Sequence, residues 1–174
     1  MSNALPSTVD YRITETPRGV WRRYMYPNGA MFAEFTSRAR LLGLPLLHYT
    51  TGVSPETGMV AVSRGFIAVG RRAVGVFALG RVAAGIVAVG QASAGVVAVG
   101  QATFGFFALG QLAIGIALGI GQVATGNVCI GQLAVGNWVL AQLGLGRHVW
   151  SMHAKDPAAI DFFRSLADQL GLTG

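Results

Sequence analysis

The residues that could carry chemistry are few, and their spacing does not suit it. The chain has one cysteine, Cys129, and three histidines, His48, His148 and His153, whose spacing matches no metal-ligand pattern. The seven acids show no paired arrangement, and Gly144-Leu145-Gly146 matches part of a phosphate loop only because glycine is so frequent. We therefore predict no enzyme activity, no metal, no cofactor and no small-molecule substrate.

Cys129 and the histidines have structural interpretations. Cys129 stands where other repeats have alanine, which predicts a buried substitute, and we expect turn or cap roles for the histidines. A lone cysteine allows no disulfide framework, and residues 1–30 contain no apolar leader segment. These features predict a reducing cytoplasm as the location.

Glycine falls on every fifth residue from Gly65 to Gly115, and after a one-residue slip the spacing resumes at Gly121. The unit is Gly-x-h-Ala-h, where h is a large or medium apolar residue. In every second unit the residue after glycine is arginine or glutamine, as at Arg81 and Gln91. The true period is therefore ten residues, built from two similar halves.

A short fixed period predicts an all-β fold, a β-solenoid or parallel β-helix in which each turn stacks on its neighbours. Transmembrane helices are the rival interpretation, because the mean hydropathy is +0.52 and Val82–Gly100 is almost free of polar side chains. At about 100° per residue, however, glycines five apart would spiral around a helix and would not form one face of small residues for helix packing. Each of the 18 glycines between residues 65 and 146 would also cost a helix roughly 1 kcal/mol. At the corners of a solenoid they would adopt positive φ without strain.

The period also predicts the width of the coil. Ten residues allow about 33 Å of extended chain per turn, so the coil is thin and admits only the small Ala/Ser/Thr/Cys position inside. A wider coil of about twenty residues per turn remains an alternative. Pentapeptide-repeat proteins have that square cross-section, but the residue two after each alanine here is glycine, so their register does not match well.

With alanine inside, two columns of large apolar residues lie outside on one flat sheet. They are Phe77, Val87, Val97, Phe107, Val128 and Trp138, and Leu79, Val89, Val99, Leu109, Ile130 and Leu140. If these columns faced inward instead, the column from Val76 to Ile116 would be exposed. Over about eight turns at about 4.8 Å each, either face would be near or above the largest apolar patch that a soluble monomer normally exposes. Such a face needs a partner.

The flanks differ from the repeats in composition. We predict an N-terminal cap or arm in residues 1–36, the solenoid in 37–150 and a C-terminal amphipathic helix in 151–174. Pro27-Asn28-Gly29 separates two strand-like runs, Trp21–Tyr26 and Met31–Thr36, which predicts a β-hairpin.

The C-terminal helix has clear start and stop signals. Asp156-Pro157 supplies an N-cap acid and a proline at the first position, and Gly171 ends the helix. Its predicted apolar stripe consists of Ile160, Phe163, Ala167 and Leu170.

The segment Arg40–His48, followed by Gly-x-x-Ala-x pentads, resembles a group of uncharacterised bacterial proteins. Those proteins carry Gly-Leu-Pro-Leu-x-His ahead of the same repeats. The resemblance covers residues 37 to about 146 and leaves both flanks outside it. It implies a bacterial β-solenoid and implies no activity.

Thirteen basic residues oppose seven acidic ones, and the net charge of +6 is concentrated toward the N-terminal half. The candidate contacts to an anion or to lipid are Arg22, Arg23, Arg38, Arg40, Arg71 and Arg81. A solvated end that keeps an apolar rod soluble is the simpler interpretation. An anionic membrane surface suits basic residues beside an apolar face, whereas no reader motif for nucleic acid is present.

Two functions are consistent with these patterns. The first is a non-enzymatic structural protein, a rigid rod that self-associates through its flat apolar face into a homo-oligomer or filament. The alternative is a peripheral membrane-surface module that contacts anionic lipid through the apolar face and the arginine-rich end. The first predicts a cytoplasmic protein and the second a membrane-associated one.

Overall fold

The computed structural model describes residues 9–171. They are mostly β-strand with one short helix near the C-terminus, as predicted. The elements are β1 (Arg12–Thr16), β2 (Gly19–Met25), β3 (Met31–Ser37), β4 (Arg40–Leu41), β5 (Leu44–Pro45), β6 (Leu47–Thr51), β7 (Val62–Trp150) and α1 (Pro157–Gln169). The chain divides into two compact units, Met1–Gln91 and Ala92–Gly174.

The first unit begins with an antiparallel sheet in the order β1-β2-β3-β6. β2 and β3 form the predicted hairpin, in which Met25 pairs with Met31. Gly29, at φ 81°, turns the chain between them. β6 then pairs in parallel with the start of β7, with Leu47 beside Ile67. β6 therefore occupies the hydrogen-bonding edge of the first residues of β7.

Backbone contacts within β7 recur at a spacing of ten residues. In the first unit, a Cβ added to Gly75, Gly80 or Gly85 would collide with the carbonyl oxygen of the glycine ten positions earlier. Side chains repeat the spacing, since Arg81 Nε donates to Gln91 Oε1 at 3.2 Å. Segments ten residues apart are therefore direct neighbours.

The second unit shows the same spacing. Glycines that would collide with the glycine ten positions earlier are Gly105, Gly110, Gly131, Gly136 and Gly146. Asn137 Nδ2 also donates to Asn127 Oδ1 at 2.8 Å. At Gly121 and Gly126 the partner is eleven positions earlier, because these two follow the slip.

These contacts correct the predicted role of the repeat glycines. Positive φ was the expected reason for glycine, but within β7 only Gly126 has it, at 153°. The actual reason is the close approach of two backbones, which leaves no space for a side chain.

Small side chains form the buried core of β7, as predicted. In the first unit the cluster consists of Ala68, Ala73, Ala78, Ala83 and Ala88, none more than 2% exposed. Their neighbours differ sharply: Phe77 is 43% exposed and Leu79 is 46% exposed. Because side chains alternate along a strand, burying the alanines turns the large apolar residues outward.

The slip lies between Ala113 and Gly119. Buried small residues occur every five positions up to Ala113. The next buried residue of this series is Gly119, six positions later, and Ala124 follows at the usual spacing of five. A Cβ on Gly119 would collide with the Thr125 carbonyl oxygen. Glycine therefore takes the inward position where the extra residue is absorbed.

Two valines near the end of β7 depart from the small-residue rule. Val139 is 0% exposed and Val149 is 9% exposed, and Gly144 lies midway between them in sequence. A Cβ on Gly144 would lie 2.8 Å from Val139 Cγ1 and 2.9 Å from Val149 Cγ1. The missing methyl group at Gly144 makes room for both valines.

Helix α1 begins and ends as predicted. Asp156 is the N-cap and accepts a hydrogen bond from the Ala158 N–H at 3.0 Å, and Pro157 takes the first position. Gly171, at φ 67°, lies just past its end.

The apolar stripe of α1 differs from the prediction at its C-terminal end. Phe163 is 5% exposed and Ala159 is 0% exposed, whereas Leu170 is 65% exposed. The helix therefore packs through its first two turns, and the inclusion of Leu170 in the stripe is wrong.

Ala88→Asp is expected to unfold the protein. Ala88 is 0% exposed and packs among alanines, so the carboxylate would be buried without a partner at a cost of more than about 3 kcal/mol. Gln101→Asp, at an exposed position, is the control and should leave Tm nearly unchanged. Thermal denaturation followed by circular dichroism measures both, and equal tolerance would contradict the inward alanine column.

Gly144→Ala is expected to destabilise the fold by about 1–3 kcal/mol, because its methyl group overpacks against Val139 and Val149. Adding Val139→Ala should recover part of that loss, since it removes the nearest methyl groups. Denaturant unfolding of the two single variants and the double variant gives the coupling free energy. A coupling near zero would rule out compensation between the two positions.

Candidate interaction surface

The residues predicted to mediate self-association flank the buried small residues of β7 and point outward. We call them the strand-face surface; its members are Phe77, Leu79, Val87, Val89, Val97, Val99, Phe107, Leu109, Val128, Ile130, Trp138 and Leu140. The most exposed members, each between 36% and 46% exposed, are Phe77, Leu79 and Val89 in the first unit and Val99, Phe107 and Leu109 in the second. The remaining members are half-buried.

The opposite outer face of β7 is also apolar. In the first unit Val74 is 47% exposed and Val82 is 52% exposed; in the second, Phe104 is 55% exposed. Phe104 follows the buried Thr103, so it flanks the other row of inward residues. Exposure alone therefore does not show which of the two faces contacts a partner.

Helix α1 covers part of the strand-face surface in the second unit. Trp138 stacks between His148, with ring centroids 4.4 Å apart, and Phe162, with centroids 4.5 Å apart. His148 Nδ1 donates to Asp156 Oδ2 at 2.8 Å. This hydrogen bond, with that from the Ala158 N–H, lowers the pKa of Asp156. Trp138 is thus packed within its own chain instead of lying open to a partner.

In the first unit the outer side of β7 continues onto the N-terminal sheet. Cross-strand register places Trp21, Phe35 and Tyr49 in one row that ends at Val69, the residue after buried Ala68. The Trp21 ring centroid lies 5.0 Å from that of Phe35 and 6.2 Å from that of Tyr49. Sequence reasoning missed this aromatic row, because only the register of three separate strands brings its members together.

Two of the six arginines predicted to contact an anion are paired with acids. Arg22 Nη1 lies 3.1 Å from Glu34 Oε2, and its Nη2 lies 3.0 Å from Glu56 Oε1. Arg38 Nη2 lies 2.8 Å from Glu15 Oε2. Their charges are therefore compensated within the chain.

The other four, Arg23, Arg40, Arg71 and Arg81, make no ion pair with any described residue. The Arg23 guanidinium lies over the Trp21 ring, 4.8 Å from its centroid. Residues 1–91 hold ten of the thirteen basic residues and four of the seven acids, whereas residues 92–174 hold three of each. The entire net charge of +6 therefore belongs to the first unit.

His48 and Glu34 fasten β6 and β3 to the start of β7. The Arg64 N–H donates to His48 Nδ1 at 2.7 Å, which leaves the ring proton on Nε2 to donate to Glu34 Oε1 at 3.0 Å. The hydrogen bond from His48 and the charge of Arg22 lower the pKa of Glu34, and burial opposes them. Both ring nitrogens of His48 are thus used in structural hydrogen bonds.

Cys129 lies in the buried small-residue column, as its place in the repeat predicts. Its Sγ lies 3.2 Å from the carbonyl oxygens of both Gly126 and Val135, and these share its single S–H donor. Burial raises the pKa of the Cys129 thiol, which disfavours the reactive thiolate. Within residues 9–171, no three His, Cys, Asp or Glu side chains are grouped closely enough to hold a metal ion. Over the same range no helix has the length and apolar character needed to cross a membrane.

Acidification is expected to weaken the junction of β3, β6 and β7 through Glu34. Because its pKa is lowered in the folded protein, the carboxylate stabilises the fold above its unfolded pKa of about 4.3. That contribution is lost as the pH falls through the lower folded value. Between about pH 6 and about pH 3, Tm of the wild type should fall more than that of Glu34→Gln.

Glu15→Gln is the matched control, because it removes the carboxylate of an exposed ion pair in the same unit. Its Tm should follow the wild-type pH profile. Identical profiles for the wild type and Glu34→Gln would contradict the assigned role of Glu34.

No family model, curated protein or solved structure matches this chain. The resemblance carried by Arg40–His48 and the pentads therefore stays a prediction.

Proposed function

We propose that this chain is a non-enzymatic structural protein in which β7 is a β-solenoid of ten residues per turn. The support is the ten-residue spacing of backbone contacts within each unit. A coil of about twenty residues would instead bring residues twenty apart together. The spacing of eleven at Gly121 and Gly126 fits one turn enlarged by the slip.

Such a coil is too thin to bury its own large side chains. Its inward positions hold alanine, serine, threonine, cysteine or glycine, apart from the valines that Gly144 accommodates. Buried apolar surface contributes about 25 cal/mol per Å², which is the main driving force for association. The observation that carries the proposal is the 38–46% exposure of Phe77, Leu79, Phe107 and Leu109 beside fully buried alanines.

We infer that the strand-face surfaces of two copies pack against each other. Rows of strands with regular side-chain spacing make flat faces, and two flat sheets pack face to face about 10 Å apart. A surface that repeats every ten residues can also pair in several registers. A homo-oligomer or filament is the expected product.

A peripheral membrane-surface module is the second candidate, and it is supported by charge. Arg71 and Arg81 are exposed, and they line the same depression as Leu79. An arginine near an anionic bilayer contributes about 1 kcal/mol to binding. Apolar and basic side chains therefore lie together in the first unit, as such a module requires.

Phe107→Glu is expected to dissociate the oligomer, and Phe104→Glu is not. Both side chains lie in the second unit and are exposed, Phe107 by 39% and Phe104 by 55%, but they flank different rows of buried residues. A carboxylate inside a packed apolar interface loses its hydration without gaining a partner. Sedimentation equilibrium without detergent measures the mass of each variant.

A wild type that remains monomeric at high concentration would overturn self-association. Equal effects of the two variants would show that the strand-face surface is not the interface. If the wild type is monomeric and floats with anionic vesicles at low salt, the second candidate replaces the first.

A further inference from the structure

The outer side of the N-terminal sheet contains an open groove. Register places Arg12 and Arg23 in one row of the sheet, with Trp21 and Tyr49 in the next row. The volume of the groove is about 560 Å³, which falls within the range of about 300–1,000 Å³ typical of small-molecule sites.

The walls of the groove are mostly apolar. Met25 and Met31 pair across the hairpin and are 65% and 49% exposed, and Trp21 and Tyr49 line the groove beside them. Methionine side chains are flexible and polarizable, so they adapt to apolar ligands of different shapes.

The groove continues into a second depression of the first unit. This depression, about 390 Å³, shares Tyr49 and Thr51 with the groove and reaches Leu79, with Arg71 and Arg81 in its lining. The two together form an elongated apolar track, with arginines in the lining of both parts.

The track is cationic and its lining contains no acid. Arg12 makes no ion pair or hydrogen bond with a described side chain, and residues 1–8 contain no acid that could pair with it. Strand alternation puts Glu15 and Glu34 on the opposite side of the sheet, where Arg38 and Arg22 compensate them. Among residues 9–171, the positive charge on the groove side therefore has no acidic partner.

We propose that the groove binds a single-chain anionic amphiphile of the fatty-acid class. The carboxylate lies between Arg12 and Arg23, because guanidinium groups bind carboxylates through paired, charge-assisted hydrogen bonds. The apolar chain lies along Met25, Met31, Trp21 and Tyr49. A second copy of the chain suits this track poorly, since its arginines would face arginines. The track shares Leu79 with the strand-face surface, but the groove that holds Arg12, Arg23, Met25 and Met31 contains no member of that surface, so binding there does not depend on self-association.

Isothermal titration calorimetry with dodecanoate, below its micelle-forming concentration, tests the site. The wild type should bind one dodecanoate per chain, and dodecanol, which lacks the charge, and butanoate, which lacks the chain, should bind at least about tenfold more weakly. Arg12→Gln with Arg23→Gln should weaken dodecanoate binding by roughly a hundredfold, since two guanidinium groups are lost and each charge-assisted hydrogen bond is worth about tenfold.

Arg18→Gln is the matched control, because it removes one positive charge in the turn between β1 and β2, outside the groove lining. It should change the affinity less than about twofold, and all variants should keep the wild-type circular dichroism spectrum and sedimentation behaviour. Absence of saturable dodecanoate binding, equal weakening by Arg18→Gln, or binding to anionic vesicles without binding to monomeric dodecanoate would overturn the proposal. The last result would point to a membrane surface instead.

Discussion

The space between neighbouring segments of β7 is the constraint on which the rest of the structure depends. Glycine backbones ten residues apart approach so closely that a Cβ would collide with a carbonyl oxygen, and the inward side chains are almost all alanine-sized. A core this narrow cannot hold Phe77 or Leu79, so the residues with most apolar surface are placed outside. Where the core holds two valines, Val139 and Val149, the residue between them is Gly144, and its lack of a side chain provides the space. The protein is therefore stabilised by close backbone packing, and its apolar surface remains available for contact.

Stacked strands also leave hydrogen-bonding groups open at the two ends of a sheet, and unprotected edges promote aggregation. In the first unit, β6 pairs with the start of β7, and the hydrogen bonds of His48 to Glu34 and to the Arg64 backbone hold that junction. In the second unit, the Asp156 N–H donates to the Val149 carbonyl oxygen near the end of β7 at 3.0 Å, and the Asp156 side chain, the N-cap of α1, binds His148. Hydrogen bonds between histidine and carboxylate side chains thus hold the segments that precede and follow β7 in place.

Local features of the sequence predicted most of the fold. The hairpin at Pro27-Asn28-Gly29, the N-cap at Asp156 and the buried alanine column each follow from residues close together in the chain. Long-range features were not predicted. The row of Trp21, Phe35 and Tyr49 depends on the register of three strands. The ion pair of Arg22 with Glu56 forms only because the loop that holds Glu56 folds back onto the sheet. The need for glycine was predicted correctly and its reason was not, since a repeat cannot reveal how closely its copies approach. In the candidate surface, the outward direction of the apolar columns was predictable, but the stacking of His148 and Phe162 on Trp138 was not.

The exposed apolar surfaces of the two units differ in the charge that surrounds them. Residues 1–91 carry the whole net charge of +6, and residues 92–174 carry none. Two first units brought together would repel each other, whereas two second units meet no such barrier, and like-charge juxtaposition at an interface costs several kcal/mol. Although both units expose apolar side chains, the proposed contact between copies would therefore meet less charge repulsion through Val99, Phe107 and Leu109. In the first unit the same kind of apolar surface lies beside uncompensated arginines, and the proposed anionic amphiphile or membrane surface would compensate that charge.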